Sequence, residues 1–105
     1  MLTMLKKFTG YLMVKVKIYG TLQTLLKIKE LNVEYSENLT IRTLLEKIQK
    51  KVKPDFIQKL IDKNGGIIPG TIILVNKKNI FHLNKLETEI NDNDEIVVFP
   101  PGAGG

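Results

Sequence analysis

The chain closes with Ile96-Val97-Val98-Phe99-Pro100-Pro101-Gly102-Ala103-Gly104-Gly105, and the rest of the sequence is interpreted outward from this stretch. The apolar run that opens it follows Asn91-Asp92-Asn93-Asp94, which predicts a strand leaving a turn. The two prolines end that strand, because neither can donate a hydrogen bond to a β-ladder. Beyond them stand only glycine and alanine, which cannot fill a core. The sequence therefore predicts a stiff exit and a flexible tail over residues 100–105.

Two interpretations of this tail are open on composition alone. Chain termini are generally mobile, so a glycine-rich end is most simply a frayed end. Alternatively, a backbone without Cβ atoms can approach a partner closely, so such a tail could enter a narrow enzyme cleft. In that case the group available for modification would be the carboxylate of Gly105.

The acidic turn, the apolar strand and the ending carry a resemblance to a known family. Asp92-x-Asp94-Glu95-Ile96-Val97, followed by Phe99-Pro100-Pro101-Gly102-Ala103-Gly104-Gly105, resembles the C-terminus of the MoaD/ThiS family of ubiquitin-like sulfur carriers, which includes MoaD and the small archaeal modifier proteins. The resemblance extends over residues 13–105. It implies an α+β, β-grasp fold: a mixed sheet of four to five strands with helices on one face, and with the first and last strands adjacent and parallel at the centre.

The resemblance also implies a function that needs no catalytic side chain. Gly105 would be adenylated and converted to a thiocarboxylate for sulfur transfer, in molybdopterin synthesis. The chain would bind no cofactor, because ATP and the sulfur donor are used by a MoeB-like activating enzyme, and the acceptor sits in a MoaE-like large synthase subunit. The other residues given a role by the resemblance are the tail residues Gly102, Ala103 and Gly104 and the docking residues Phe99, Pro100 and Pro101. Gly102 departs from the family, which often carries valine there, and should loosen the tail.

Three alternatives remain beside the molybdopterin carrier. One is a protein modifier joined through Gly105 to target lysines, which would need the same adenylate. The second is a ThiS-like carrier in thiamine synthesis. The third is a plain interaction or nucleic-acid-binding module, which would not need Gly104 and Gly105 at all. Pro100 and Pro101 stand where ubiquitin has an arginine before its tail, which argues against a eukaryotic-type ubiquitin activator.

Composition excludes several other classes. The chain of 105 residues has no cysteine and a single histidine, His82, which excludes a disulfide framework, a thiol nucleophile and a histidine metal cluster. The net charge of +5 comes from lysines spread over the whole chain, with Arg42 the only arginine, so no nucleic-acid partner is expected. No apolar run approaches the ~20 residues of a membrane span, and we expect a cytoplasmic protein. Asp92 and Asp94 are interpreted as turn residues and not as a metal pair.

Residues 1–12 are interpreted as an N-terminal extension, residues 13–99 as the β-grasp domain and residues 100–105 as the tail. The extension is interpreted as disordered or as the result of an upstream misassigned start, and an apolar stripe of Leu5, Phe8 and Leu12 at near-helical spacing is the minority alternative. Alternation of apolar and polar residues predicts strands over residues 13–19 and 30–35, forming an antiparallel hairpin. Between them, residues 21–27 are interpreted as a loop. Its leucines either tuck onto the core or face a partner.

Thr40 is a good N-cap, and a helix is predicted from it to before Pro54. Its apolar face consists of Ile41, Leu44, Leu45, Ile48 and Val52. A second, short helix is predicted from Pro54, with a buried stripe of Phe56, Ile57, Leu60 and Ile61. Residues 71–75 form an apolar run that predicts a strand buried on both faces, and residues 80–83 predict a short strand that holds His82.

Overall fold

The structure is a computed structural model, and it describes residues 12–102. The predictions for residues 1–11 and for Ala103, Gly104 and Gly105 lie outside this range. Five strands and two α-helices follow one another along the chain. Their order is β1 (Met13–Ile18), α1 (Gly20–Leu26), β2 (Glu30–Glu34), α2 (Ile41–Lys51), β3 (Ile72–Val75), β4 (Lys78–Asn79) and β5 (Glu95–Phe99).

The five strands form one mixed sheet in the order β2-β1-β5-β3-β4. β1 and β5 run in parallel, with Val16 opposite Ile96, while β2 and β3 pair with them in the antiparallel sense. The last strand therefore occupies the centre of the sheet, and the first strand lies beside it. This arrangement confirms the predicted α+β fold, including the parallel central pair.

One face of the sheet carries the hydrophobic core. Successive side chains of a strand point to opposite faces, and in β1 the apolar members of the alternation are buried, as predicted. The two helices pack onto this face and close the core. The buried residues that the sheet contributes are Val14, Val16, Ile18, Val33, Ile73, Val75, Ile96 and Val98. Between residues 12 and 102, no helix has the length and apolar character needed to cross a membrane.

The predicted loop over residues 21–27 is wrong, because helix α1 occupies most of it. Leu22 and Leu26, one helical turn apart, are both buried in the core, so the leucines tuck inward and do not face a partner. Gly20 opens the helix at φ +66°, and Lys27 ends it in the left-handed region at φ 58°. A helix of seven residues shows only two buried positions, which is too few for the period to be recognised in the sequence.

Helix α2 begins where the sequence predicts. Thr40 is extended and its hydroxyl accepts a hydrogen bond from the Thr43 N–H at 3.2 Å, while the Thr43 hydroxyl accepts one from the Thr40 N–H at 2.9 Å. This reciprocal capping box satisfies two backbone donors that have no partner within the helix. The helix ends at Lys51, before Pro54, and its buried residues are Ile41, Leu44, Leu45 and Ile48.

Replacing Thr40 by alanine should lower the free energy of unfolding by about 0.5–2 kcal/mol, because the Thr43 N–H loses its acceptor. Urea unfolding followed by circular dichroism measures this change. Thr24→Ala is the matched control, since Thr24 is exposed inside α1 and caps nothing. Alanine there should hold or slightly raise stability. Equal stabilities of the two variants would show that the cap contributes nothing.

The short helix predicted from Pro54 is reduced to one 3₁₀ turn, Ile57–Lys59. Gln49 explains the difference. Its side-chain amide donates to the Pro54 carbonyl at 2.9 Å and accepts from the Phe56 N–H at 3.0 Å, so this segment is held by α2 and not by its own helical ladder. Phe56 and Leu60 are buried as predicted, whereas the other two residues of the stripe are only partly buried.

The short strand predicted over residues 80–83 is also wrong. A 3₁₀ turn, Ile80–His82, stands there, and strand pairing is confined to the two residues before it. The side chain of Asn79 accepts a hydrogen bond from the Phe81 N–H at 2.9 Å, which competes with an extended backbone. The prediction that β3 is buried on both faces fails at Ile72, which is 41% exposed. β3 therefore presents apolar surface on the side of the sheet away from the core.

Candidate functional site

The C-terminal end of β5 is where the chain leaves the domain. Val98 is buried in the core, and Phe99 still pairs with β3, lying opposite Ile72. Beyond the strand, Pro100 is buried, Pro101 is half-buried and Gly102 is exposed. The tail therefore starts from the central strand of the sheet and passes from core to solvent within three residues. Of the predicted site residues, the structure describes Phe99, Pro100, Pro101 and Gly102, whereas Ala103, Gly104 and Gly105 lie outside the described residues.

Gly102 adopts a backbone conformation that other residues reach with difficulty. Its φ is +74°, in the left-handed region, and a Cβ atom at this position would meet nothing within 4 Å. A β-branched residue is a genuine outlier in that region. The valine that the family often carries would thus be strained here by the backbone and not by a clash. Glycine at this position sets the direction in which the backbone leaves Pro101.

The outer face of the sheet carries an apolar surface beside the exit. The rings of Tyr19 and Phe99 stack with centroids 4.9 Å apart and an interplanar angle of 14°. Tyr19 is 39% exposed, and Ile72 lies across the strand pairing from Phe99. We call Tyr19, Ile72 and Phe99 the exit patch. These three side chains thus form one apolar surface next to the point where the chain leaves the sheet.

The exit patch is bordered by charged side chains on the same face. The Lys17 ammonium lies 3.3 Å from the Glu95 carboxylate, and the Lys15 ammonium lies 3.8 Å from the carboxylate of Glu30. The hydrogen bond and charge of Glu95 raise the pKa of Lys17 above its usual value. An apolar centre with a polar rim is the usual anatomy of a protein interface.

Sequence reasoning found Phe99 but missed the two residues that complete the patch. Tyr19 ends the polar side of the β1 alternation, where an aromatic residue is out of place, and this was the available signal. Ile72 has no such signal in the sequence, because it stands in an unbroken apolar run. Only the pairing of β5 with both β1 and β3 brings the three side chains to one surface.

Asp94 and His82, which could in principle bind a metal ion or transfer a proton, do not form a second candidate site. Asp94 accepts a hydrogen bond from the Asn91 N–H at 2.8 Å and another from the Asn76 amide at 2.8 Å, so it is the turn residue that the sequence predicts. His82 is exposed in its 3₁₀ turn. Within residues 12–102, no three histidine, aspartate or glutamate side chains are grouped closely enough to hold a metal ion.

A separate open cleft of about 400 Å³ is lined by Phe81, Arg42 and Glu87, among others. The Arg42 guanidinium contacts the Glu87 carboxylate at 2.7 Å, so the only arginine of the chain is already paired. Phe81 is 49% exposed here. None of the exit-patch residues lines this cleft.

A mixed five-stranded sheet with a parallel central pair, two helices on one face and a glycine ending after the central strand defines a ubiquitin-like β-grasp protein. The sequence model of the ThiS family matches residues 16–105. The chain therefore belongs to the ThiS family, which comprises sulfur carriers and ubiquitin-like modifiers. The resemblance drawn from the C-terminal motif is thereby confirmed. Proteins of this family are small carriers and modifiers and are not themselves enzymes.

Individual relatives agree with this assignment. A protein of Archaeoglobus fulgidus, named as a candidate sulfur carrier, is 31% identical over 70 residues, which cover 67% of this chain and 78% of the relative. The solution structure of small archaeal modifier protein 1 from Methanosarcina acetivorans has a TM-score of 0.69 and 31% identity, over 91% of this chain and 99% of that one. A Pyrococcus furiosus structure, named as a candidate molybdopterin converting factor subunit 1, has a TM-score of 0.65 and 26% identity, over 86% and 98%.

Proposed function

We propose that this protein carries sulfur as a thiocarboxylate on Gly105. The observation that supports the proposal most directly is the exit of the chain from the central strand, through exposed Gly102, beside an apolar patch. This arrangement suits a domain that docks by its sheet face while an enzyme works on its terminus. Gly104 and Gly105 would carry the chemistry, and Gly102 and Ala103 would enter the enzyme with them.

The chemistry follows from the nature of a terminal carboxylate. Its ordinary pKa is about 3.5, so at neutral pH it is an anion and a poor electrophile. Attack of a carboxylate oxygen of Gly105 on the α-phosphorus of ATP forms an acyl-adenylate and releases pyrophosphate. A sulfur nucleophile then attacks the acyl carbon and expels AMP, leaving sulfur in place of one oxygen. The ATP of the first step and the sulfur donor of the second would both be supplied by the activating enzyme, and this chain would bind no cofactor of its own.

The first partner in this proposal is a MoeB-like activating enzyme in the cytoplasm, which supplies ATP and the sulfur donor. The exit patch, followed by Pro100 and Pro101, would dock on it. Aromatic residues are enriched in the energetically dominant centres of interfaces, and the stacked pair Tyr19–Phe99 offers such a centre. The charged rim of Lys17 and Glu95 would set orientation more than affinity.

The second partner in this proposal is the protein that holds the sulfur acceptor. We propose that the thiocarboxylate delivers sulfur to a pterin precursor held by a MoaE-like large subunit of molybdopterin synthase. The Pyrococcus furiosus structure, 26% identical and named for a molybdopterin converting factor, supports this acceptor. The ThiS family also takes its name from ThiS, so a ThiS-like carrier in thiamine synthesis remains a related alternative.

The second candidate function is a protein modifier. The Methanosarcina acetivorans relative, 31% identical, is named as a small archaeal modifier protein, and this favours conjugation. In that case a deprotonated lysine amine of a target protein would attack the acyl carbon of the Gly105 adenylate, form an isopeptide bond and release AMP. Both functions use the same tail and the same activation, so they differ only in the nucleophile that receives the acyl group.

Intact-mass spectrometry separates these functions. Incubating the full chain with a MoeB-like activating enzyme, ATP and sulfide should give the mass increase expected when one sulfur replaces one oxygen at Gly105. Omitting ATP is the control and should give no change. If the mass stays constant while, in a cell lysate, the C-terminal peptide of this chain beginning after Lys85 is found joined through Gly105 to lysines of other proteins, the sulfur carrier is wrong and the modifier is correct.

A further inference from the structure

A tight turn lies against the exit of the tail. It consists of Ile68, Pro69, Gly70 and Thr71, and the Thr71 N–H donates to the Ile68 carbonyl at 3.0 Å. Gly70 has φ +95°. Proline at the second position and a positive φ at the third are typical of a type II turn. The turn leads directly into β3, the neighbour of β5.

Gly70 lies against the start of the tail. A Cβ atom placed on it would lie 3.3 Å from the Pro101 Cβ and 3.4 Å from the Pro101 Cα. The Gly102 nitrogen would be 3.8 Å away. The atom that would be displaced belongs to a rigid pyrrolidine ring, and not to the free end of a flexible side chain. Any residue with a side chain at position 70 must therefore push Pro101 away from the turn.

This contact lies just beyond the last hydrogen-bonded pairing of β5. The register of β3 with β5 ends with Ile72 opposite Phe99, so residues 100–102 are no longer positioned by the ladder. Burial of Pro100 and the contact between Gly70 and Pro101 are what hold the backbone there. The direction in which the chain leaves the domain at Gly102 is therefore set here.

We infer that Gly70 is a positioning residue for the C-terminal tail: its bare backbone accommodates Pro101 and so sets the direction in which the chain leaves the domain at Gly102. The inference rests on the proposed function, since it assumes that an activating enzyme must receive the tail while the sheet face is docked. Reacting groups tolerate little error in placement, and a displacement of about 1 Å can cost on the order of 100-fold in rate.

Gly70→Asn and Gly65→Asn form a matched pair that tests this role. Both glycines have a positive φ, +95° and +84°, and asparagine is among the residues that tolerate this region best. A Cβ on Gly65 would meet nothing within 4 Å, so both variants bear a similar backbone cost but only Gly70→Asn displaces Pro101. Thermal unfolding of both variants provides the correction for stability.

With the activating enzyme, ATP and sulfide, we expect Gly70→Asn to lower kcat for thiocarboxylate formation by about 3-fold or more, because Pro101 must shift by only part of an ångström. Its KM for the carrier should change less than kcat, because the exit patch is intact and Pro101 is the only docking residue that moves. Gly65→Asn should match the wild type in both constants. Equal kcat for the two variants would overturn the inference, as would a change confined to KM.

Two further measurements keep the test decisive. If Gly70→Asn does not fold, Gly70→Ala should show the kcat defect, and combining it with Pro101→Gly, which removes the Cβ in its way, should abolish the defect relative to Pro101→Gly alone. The amide resonance of Gly102 should shift in Gly70→Asn and not in Gly65→Asn. That shift tests the contact between Gly70 and Pro101 even if the wild-type chain is not activated at all. Failure of the wild-type chain to be activated would refute the proposed function and not the contact.

Discussion

Removing Gly104 and Gly105 should abolish thiocarboxylate formation while leaving the unfolding temperature of the domain unchanged. The new terminus would end two residues short of the activated position, so no acyl group would reach the nucleotide. Stability should hold because the buried core of the described chain extends no further than Val98. Intact-mass spectrometry after incubation with the activating enzyme, ATP and sulfide measures the first effect, and calorimetry measures the second.

The matched control shortens the other end of the chain by the same amount. Deleting Leu2 and Thr3 removes two residues upstream of the family match, which begins at residue 16. This variant should be thiocarboxylated like the wild type. If cells that contain only the chain lacking Gly104 and Gly105 keep every function of the wild type, both the carrier and the modifier are wrong. The plain interaction module would then be the correct class.

Phe99→Ala should weaken binding of the activating enzyme by about 30-fold or more, since truncating an aromatic hot spot costs about 2 kcal/mol or more. Phe99 stacks on Tyr19 and pairs with Ile72 of β3, so its ring is already ordered before binding. A preordered ring loses little conformational entropy when a partner covers it. Titration calorimetry with the full chain and the activating enzyme measures the affinity.

Phe81→Ala is the control for this substitution. Phe81 is the more exposed aromatic ring, at 49%, but it stands in the 3₁₀ turn and lines the separate cleft. Its removal should leave the affinity unchanged. A loss of affinity in Phe81→Ala, with none in Phe99→Ala, would move the docking surface from the exit patch to that cleft. Unfolding temperatures of both variants separate loss of contact from loss of fold.

Much of this fold could be predicted from the sequence because its main elements are long and regular. The alternation of β1 and the capped apolar face of α2 each repeat often enough to identify the element and its buried side. The errors fall where an element is short or is held by a distant side chain. Helix α1 has a single turn of buried leucines, and the segment after Pro54 follows hydrogen bonds from Gln49.

The candidate site likewise contains some residues that the sequence predicts and others that it does not. Phe99, Pro100, Pro101 and Gly102 are contiguous, so a motif at the end of the chain is enough to identify them. Tyr19 and Gly70 are far from them in sequence, and only the pairing of β5 with its two neighbours places both beside the exit. The conformation of Gly102, at φ +74°, is equally invisible to a motif that expects valine there.

The parallel alignment of β1 and β5 has a practical consequence for experiments on this chain. Parallel strands start at the same end of the sheet and finish together at the opposite end. Met13, at the start of β1, therefore lies far from Phe99, at the finish of β5. A six-residue strand spans roughly 20 Å. An affinity tag or a fluorophore joined directly before Met13 would be attached at the end of the sheet opposite to Phe99. The same fusion after Gly105 would block the carboxylate that is to be activated.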